Sequence, residues 1–256
     1  MKYHRIHSKK SNQIFPKKSY KPRAQIHQSL IDPFIPKLAL FLIILAITST
    51  SSYHLRKSES HHSYITLTLN KVGTFSILGS DFKYCPDEVY INDINFIPGE
   101  NCKKVTLTES SNRIKLVFNN EINSTLSMFY RLSNILYIDL SHFNTSLVKN
   151  MKNMFSYCYD LTSVDLTNLD TSSVTTMEAM FQRCLSLSSL DLRGLNTSKV
   201  LSMRSMFNTC RNLAKIDFST FITSSVKIME MMFWNCSKLT SVDLTHFDTS
   251  NVTTMD

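Results

Sequence analysis

"LTSVDLTNLDTSSVTTMEAMFQRC", Leu161 to Cys184, carries two hydrophobic periods within one short stretch. At its start, L-x-x-V-D-L places Val164 and Leu166 two residues apart, the period of a strand. From Val174 onward, Val174, Met177, Phe181 and Cys184 are spaced three, four and three, the period of a helix face. Thr171 and Ser172 stand just before that run, and such residues cap helix N-termini by accepting backbone N–H bonds. The stretch therefore predicts a short strand, a turn, a capped helix of about three turns and a return.

The same pattern recurs every 26 residues without insertion or deletion: "MFSYC" begins at Met154, "MFQRC" at Met180, "MFNTC" at Met206 and "MFWNC" at Met232. Whole columns repeat with it, such as Leu161, Leu187, Leu213 and Leu239, or Val148, Val174, Val200, Val226 and Val252. A degenerate earlier unit keeps Met128-Phe129 but has Leu132 in the cysteine position. One unit cannot cover its own apolar side, whereas units stacked at about 4.8 Å bury each column against its copies. A period of 26 with L-x-x-L-x-L lies in the leucine-rich-repeat range of ~20–29 residues.

The pattern L-x-x-[IVL]-[DN]-L-[ST]-x-[FL]-[DN]-T-S-x-V-x-x-M-x-x-M-F-x-x-C closely resembles the BspA-type leucine-rich repeat of surface proteins in bacteria and microbial eukaryotes. The match covers about residues 123–256, with small departures at Phe218 and Ile222. The resemblance implies an extracellular adhesion or surface-recognition role. The expected fold is an α/β leucine-rich-repeat solenoid, with a parallel sheet on one face and short helices on the other. A small β-rich cap over residues 64–122 precedes it. There Ile65, Leu67 and Leu69 alternate with threonines, and "VYINDINFI" reads as a hairpin turning at Asn92-Asp93. Cys85 and Cys102 lie in this cap; they pair if the protein is translocated and stay free, buried thiols if it is not.

Two lines of side chains invite chemistry. Cys158, Cys184, Cys210 and Cys236 come one per unit, so they form a line and not the converging set a zinc site needs. They read as a structural core ladder, as do the methionine columns. Asp139, Asp165, Asp191, Asp217 and Asp243 each sit between two inward residues and so point onto the solvent-facing sheet. Like charges about 5 Å apart repel by ~1 kcal/mol in water. Hydroxyls of Ser and Thr, the nearby Lys215, a bound cation or a basic partner could relieve this. The line is therefore a candidate ligand-facing stripe for a protein or cell-surface ligand. Sequons stand at Asn123, Asn144, Asn196, Asn235 and Asn251, no more than this Asn-, Ser- and Thr-rich composition yields by chance. Asn235 is set aside because its segment is expected to pack inward.

Of 28 Lys/Arg and 20 Asp/Glu in 256 residues, 11 basic and 2 acidic residues fall within 1–60. That leaves 17 basic against 18 acidic in the remainder, so the net charge of +8 belongs to the tail. The main domain lacks a basic balance for nucleic acid. Residues 1–37 read as a basic disordered cytosolic tail. Residues 38–52, including "LALFLIILAI", read as a signal anchor or signal-peptide h-region, with 53–63 a linker. Lys and Arg are concentrated before this run, which keeps the tail cytosolic and translocates the rest. The array breaks off at "NVTTMD", where earlier units run on to M-F-x-x-C. The last rung thus lacks a polar cap, so a longer array or a second chain is expected there.

Phosphate-loop, dinucleotide and hydrolase motifs are absent, and no cofactor or metal site is expected. The resulting expectation is a non-enzymatic glycoprotein of the cell surface, single-pass or secreted. An intracellular repeat scaffold for protein–protein interaction is the alternative.

Overall fold

The computed structural model describes residues 63–96 and 101–255. The tail, the apolar segment 38–52 and nearly all of the 53–63 linker lie outside them, and so do the expectations placed there. The front of the described chain is antiparallel. Strands β1 (Ser63–Leu69), β3 (Glu88–Ile91), β4 (Ile94–Phe96) and β6 (Asn112–Phe118) form most of one six-stranded sheet. Strands β2 (Gly73–Ser76) and β5 (Lys104–Leu107) pair separately. The β3–β4 hairpin turns at Asn92 and Asp93, whose φ of 50° and 65° are what a two-residue type I′ loop requires. Cys85 and Cys102 are joined by a disulfide across this region.

The repeats begin where this sheet continues. Strand β7 (Tyr137–Asp139) pairs antiparallel with β1, aligning Ile138 with Leu67, and parallel with β8 (Ser163–Asp165). Strands β9 (Ser189–Leu190) and β10 (Lys215–Ile216) form a two-residue parallel pair. Elsewhere successive units touch through single parallel bridges, Ser124 to Asn150, Asn150 to Thr176 and on to Thr254, always 26 residues apart. Inside, Val148, Val174, Val200 and Val226 are buried, as are Met151, Met177, Met203 and Met229 and Leu161, Leu187 and Leu213. Phe129, Phe155, Phe181, Phe207 and Phe233 stack face to face at centroid spacings of 5.0–5.9 Å.

The expected α/β leucine-rich-repeat solenoid is not the fold. Among the described residues there is no helix, and the strands fall into several small sheets. The run expected to be helical, Val174 to Cys184, is a chain of overlapping turns. Met180 N–H bonds to Met177 O at 3.2 Å, Gln182 N–H to Ala179 O at 3.1 Å and Cys184 N–H to Phe181 O at 3.1 Å. The alternate N–H groups leave the unit altogether: those of Met177, Ala179, Phe181 and Arg183 reach Ser202, Arg204, Met206 and Asn208 O at 2.8–3.0 Å. The N–H groups from Met177 to Cys184 that a helix would satisfy internally are thus divided, in alternation, between local turns and the next unit. Ala179 and Arg183 hold φ of 51° and 58°, and the equivalent pair in each other unit does the same, from Ser127 and Arg131 to Met231 and Asn235. A left-handed residue costs an L side chain roughly 1–2 kcal/mol, but it aims its N–H at the neighbouring unit.

Thr171 caps nothing. Its hydroxyl donates to Asn196 O at 3.0 Å and accepts Asn196 N–H at 2.7 Å. Thr197 and Thr223 repeat that double bond to Ile222 and Asp248, and all three threonines are buried. At the front, residues 77–82 cover the first unit: Gly79 N–H bonds to Met128 O at 2.7 Å. A side chain there would stand 2.2 Å from Ser127 O, so only glycine permits this approach.

Candidate functional site

The aspartate line is built by one local motif used five times. Each Asp ends the strand position of its unit, and its Oδ1 accepts the N–H two residues on. The bonds run from Ser141, Thr167, Ser219 and Thr245 to Asp139, Asp165, Asp217 and Asp243 at 2.9 Å, and from Arg193 to Asp191 at 3.1 Å. This Asx turn closes the strand and starts the next corner. Hydroxyls of Ser141 and Thr245 donate to the same Oδ1 at 2.6 and 2.7 Å, and Thr167 does likewise. Outside the third unit, the Oδ2 atoms have no partner among the described residues. Asp139 and Asp165 are half-buried, while Asp191, Asp217 and Asp243 are exposed.

Repulsion along the line is relieved first by these local donors. The hydroxyl and N–H of Thr245 hold the Asp243 carboxyl below the ordinary range, and the N–H and hydroxyl of Ser219 do so for Asp217. In the third unit the hydroxyl position is taken by Arg193. Its Nε and Nη2 reach Asp191 at 3.0 and 2.7 Å, a two-point clamp that brings that carboxyl down to about 2. Lys215, the cation expected from sequence to serve the line, makes no ion pair among the described residues. It borders a groove of about 650 Å³ with Asp191, Arg193, Asp217 and Asp243. A second groove of about 510 Å³ is bordered by Tyr137, Asp165, Thr167, Asp191 and Arg193. Burial, then Asp139 and Asp165, raise the Tyr137 hydroxyl above its usual value, so it remains a proton donor facing that groove. Sequence reasoning missed Arg193 and Tyr137. Each breaks a column otherwise filled by small polar residues: Ser, Thr, Ser and Thr around Arg193; Ser163, Ser189 and Ser241, beside Lys215, below Tyr137.

The cysteine line has a different use. Each Sγ donates to the carbonyl of the phenylalanine 29 residues earlier: Cys158 to Phe129, Cys184 to Phe155, Cys210 to Phe181 and Cys236 to Phe207, at 3.0–3.2 Å. Burial pushes the Cys158 and Cys210 thiols up to about 12, and that of Cys184 well up. They are protonated donors inside the core, not nucleophiles. Among the described residues no three His, Cys, Asp or Glu converge as a metal site would require. The sequon asparagines are all exposed. Asn144 and Asn196 spend their Oδ1 on Asx turns to Ser146 and Ser198, Asn123 accepts from Tyr84, and Asn251 donates to Ser224 O. Asn235, expected on an inward-packed segment, is exposed.

Comparison with curated proteins and with solved structures yields no match for this chain. A family model described as "Mycoplasma protein of unknown function, DUF285" matches residues 105–215 and again 186–256, the portion holding all five aspartates and the four stacked cysteines. The two matches together span more than half of the 256 residues, and the chain belongs to the DUF285 family.

Proposed function

We propose that this chain is a non-enzymatic recognition and adhesion protein, displayed at the cell surface or secreted, that meets a protein ligand through its aspartate-lined face. The observation that carries the reading is the five-fold line of carboxylates, each held by the N–H two residues on, with Oδ2 left open in four units among the described residues. Groups already oriented before a ligand arrives reduce the ordering cost of binding. A row of anions at about 5 Å spacing fits a partner presenting Lys or Arg, and the two grooves beside it receive flanking side chains. The Cys85–Cys102 bond supports an oxidising compartment and weighs against the intracellular scaffold. Anchorage or export through residues 38–52, N-glycosylation at the exposed sequons and kinship with BspA-type surface proteins belong to the same reading.

Asp→Asn is the suitable probe, because Asn144 and Asn196 show that an amide Oδ1 sustains the same Asx turn in this fold. The variant Asp165→Asn/Asp217→Asn/Asp243→Asn therefore removes three charges and keeps the turns. Beads coated with the full chain are expected to adhere to cell monolayers, with adhesion reduced about tenfold or more by the triple variant. Unaltered adhesion with an unaltered melting temperature would refute the proposal.

A further inference from the structure

A second surface, which shares no residue with the aspartate line, gathers cations without anions. It lies at the end of the turn run, just before and after the cysteine position. Three units there contribute Arg131, Arg183 and Arg211, all exposed. Tyr130, Tyr157 and Tyr159 stand among them, half-buried. The twenty residues at the four positions Tyr130 to Ser133 and their equivalents in the next four units include no Asp or Glu. Asp160, one position further, is occupied by Lys71 at 3.2 Å. None of the three guanidiniums has a carboxylate within ion-pair distance among the described residues.

The arrangement is ordered by stacking. Tyr157 is flanked by the guanidiniums of Arg131 at 5.5 Å and Arg183 at 5.2 Å, one from the unit before and one from the unit after. Arg131 also covers Tyr130 at 5.1 Å, and the Tyr130 and Tyr157 rings meet edge to face at 5.6 Å. A guanidinium lying on a ring keeps its N–H edge free and its plane fixed, the geometry that grips a sulfate or carboxylate with two parallel bonds. Arg131 and Arg183 are two units apart, about 10 Å at the usual strand spacing. That matches the separation of anionic groups along one disaccharide of an extended polysaccharide.

Three ligand classes can be weighed on this geometry. Single-stranded nucleic acid needs an open ring face for base stacking, and guanidiniums already flank Tyr157. A peptide adding as a strand needs free backbone groups to pair with, but the N–H groups of Arg131, Tyr157 and Arg183 are bonded to the next unit. What remains open is guanidinium edges and phenolic hydroxyls, which suit a ligand bearing anions and hydroxyls on a flexible strand. We infer that the Arg131–Tyr157–Arg183 edge binds a sulfated linear glycan.

The test measures binding of the full chain to a heparin dodecasaccharide, its desulfated counterpart, a single-stranded oligonucleotide and a poly-glutamate peptide of matched charge. Binding of the sulfated glycan is expected to weaken with added salt and to exceed that of the other three probes about tenfold or more. Arg131→Gln/Arg183→Gln should lose about a hundredfold, close to tenfold per two-point contact. Tyr157→Ala should lose at least about fivefold, while Tyr157→Phe, which keeps the ring and loses only the hydroxyl, should lose about twofold. Lys149→Gln/Lys227→Gln removes the same charge from another column and should change binding less than twofold. Absent binding, equal loss in the lysine pair, an inert Tyr157→Ala, or a desulfated glycan, oligonucleotide or poly-glutamate bound as tightly would each overturn the inference. All these side chains are exposed or half-buried, so an unchanged melting temperature separates lost binding from lost fold.

Discussion

Thr197→Val tests whether the units are joined by hydrogen bonds or only by apolar stacking. The side chain is fully buried, and valine reproduces its shape. The hydroxyl donates to Ile222 O at 2.9 Å and accepts Ile222 N–H at 2.8 Å. Valine removes both bonds at once and leaves two main-chain groups without a partner, each worth ~1–3 kcal/mol when shielded from water. The Ile222 side chain is 49% exposed, so solvent reaches this corner and the lower end applies, giving ~2 kcal/mol in all. Thr197→Ser keeps both bonds and loses one methyl group, about 1 kcal/mol. Urea unfolding should therefore rank the parent above the serine variant and the serine variant above the valine variant. The valine substitution should lower the melting temperature by roughly 4–8 °C. If apolar packing alone held the units together, the valine variant would equal or exceed the parent and the serine variant would be the weakest. The same column supplies an internal control: Thr249 is exposed and its hydroxyl makes no hydrogen bond among the described residues, so Thr249→Val should lie within about 0.5 kcal/mol of the parent. Finding Thr197→Val as stable as the parent, or more stable than Thr197→Ser, would refute the ladder.

The buried thiols predict a pH window. Their folded pKa lies above the unfolded value, near 9, so the native state holds its protons more tightly. The thiols' contribution to stability should be constant below pH 9 and fall as pH rises toward about 12, the folded value for Cys158 and Cys210. Melting temperature against pH should show this decline, and Cys158→Ala/Cys210→Ala should flatten it. Alkylation read by mass spectrometry should mark the half-buried Cys236 before the other three. Selective reduction of Cys85–Cys102, which closes a loop of 17 residues, should destabilise the protein by about 3 kcal/mol in urea unfolding. In Arg193→Gln the Asp191 carboxyl should titrate above its parent value of about 2 but still below the ordinary aspartate range, because the N–H of residue 193 remains bonded to it, in a carbon-detected NMR titration.

The candidate site was legible in outline. Alternation around each Asp identified the outward side chains, because in an extended segment neighbours must face opposite ways. Relief by Ser and Thr hydroxyls was legible and is found at Asp139, Asp165 and Asp243. Relief by Arg193 was not: Lys215 has the right charge, yet Arg193 sits two residues after an Asp, where the Asx turn folds it back onto the carboxylate. The Arg131–Tyr157–Arg183 stack was hidden for a similar reason. Its members are 26 residues apart, and only the stacking of units brings them into contact.

By itself the sequence determined the 26-residue phase, which side chains form the buried columns and the hairpin at Asn92-Asp93. These follow from burial and turn chemistry, which act position by position. Tertiary structure decided what backbone carries the columns. Val174, Met177 and Met180 point inward at a spacing of three, which overlapping turns satisfy as well as a helix does. The choice falls to the N–H groups of Met177, Ala179, Phe181 and Arg183. In an isolated segment their best acceptors lie four residues back, but here the carbonyls of the next unit stand within 3.0 Å, and the chain accepts two left-handed residues per unit to reach them.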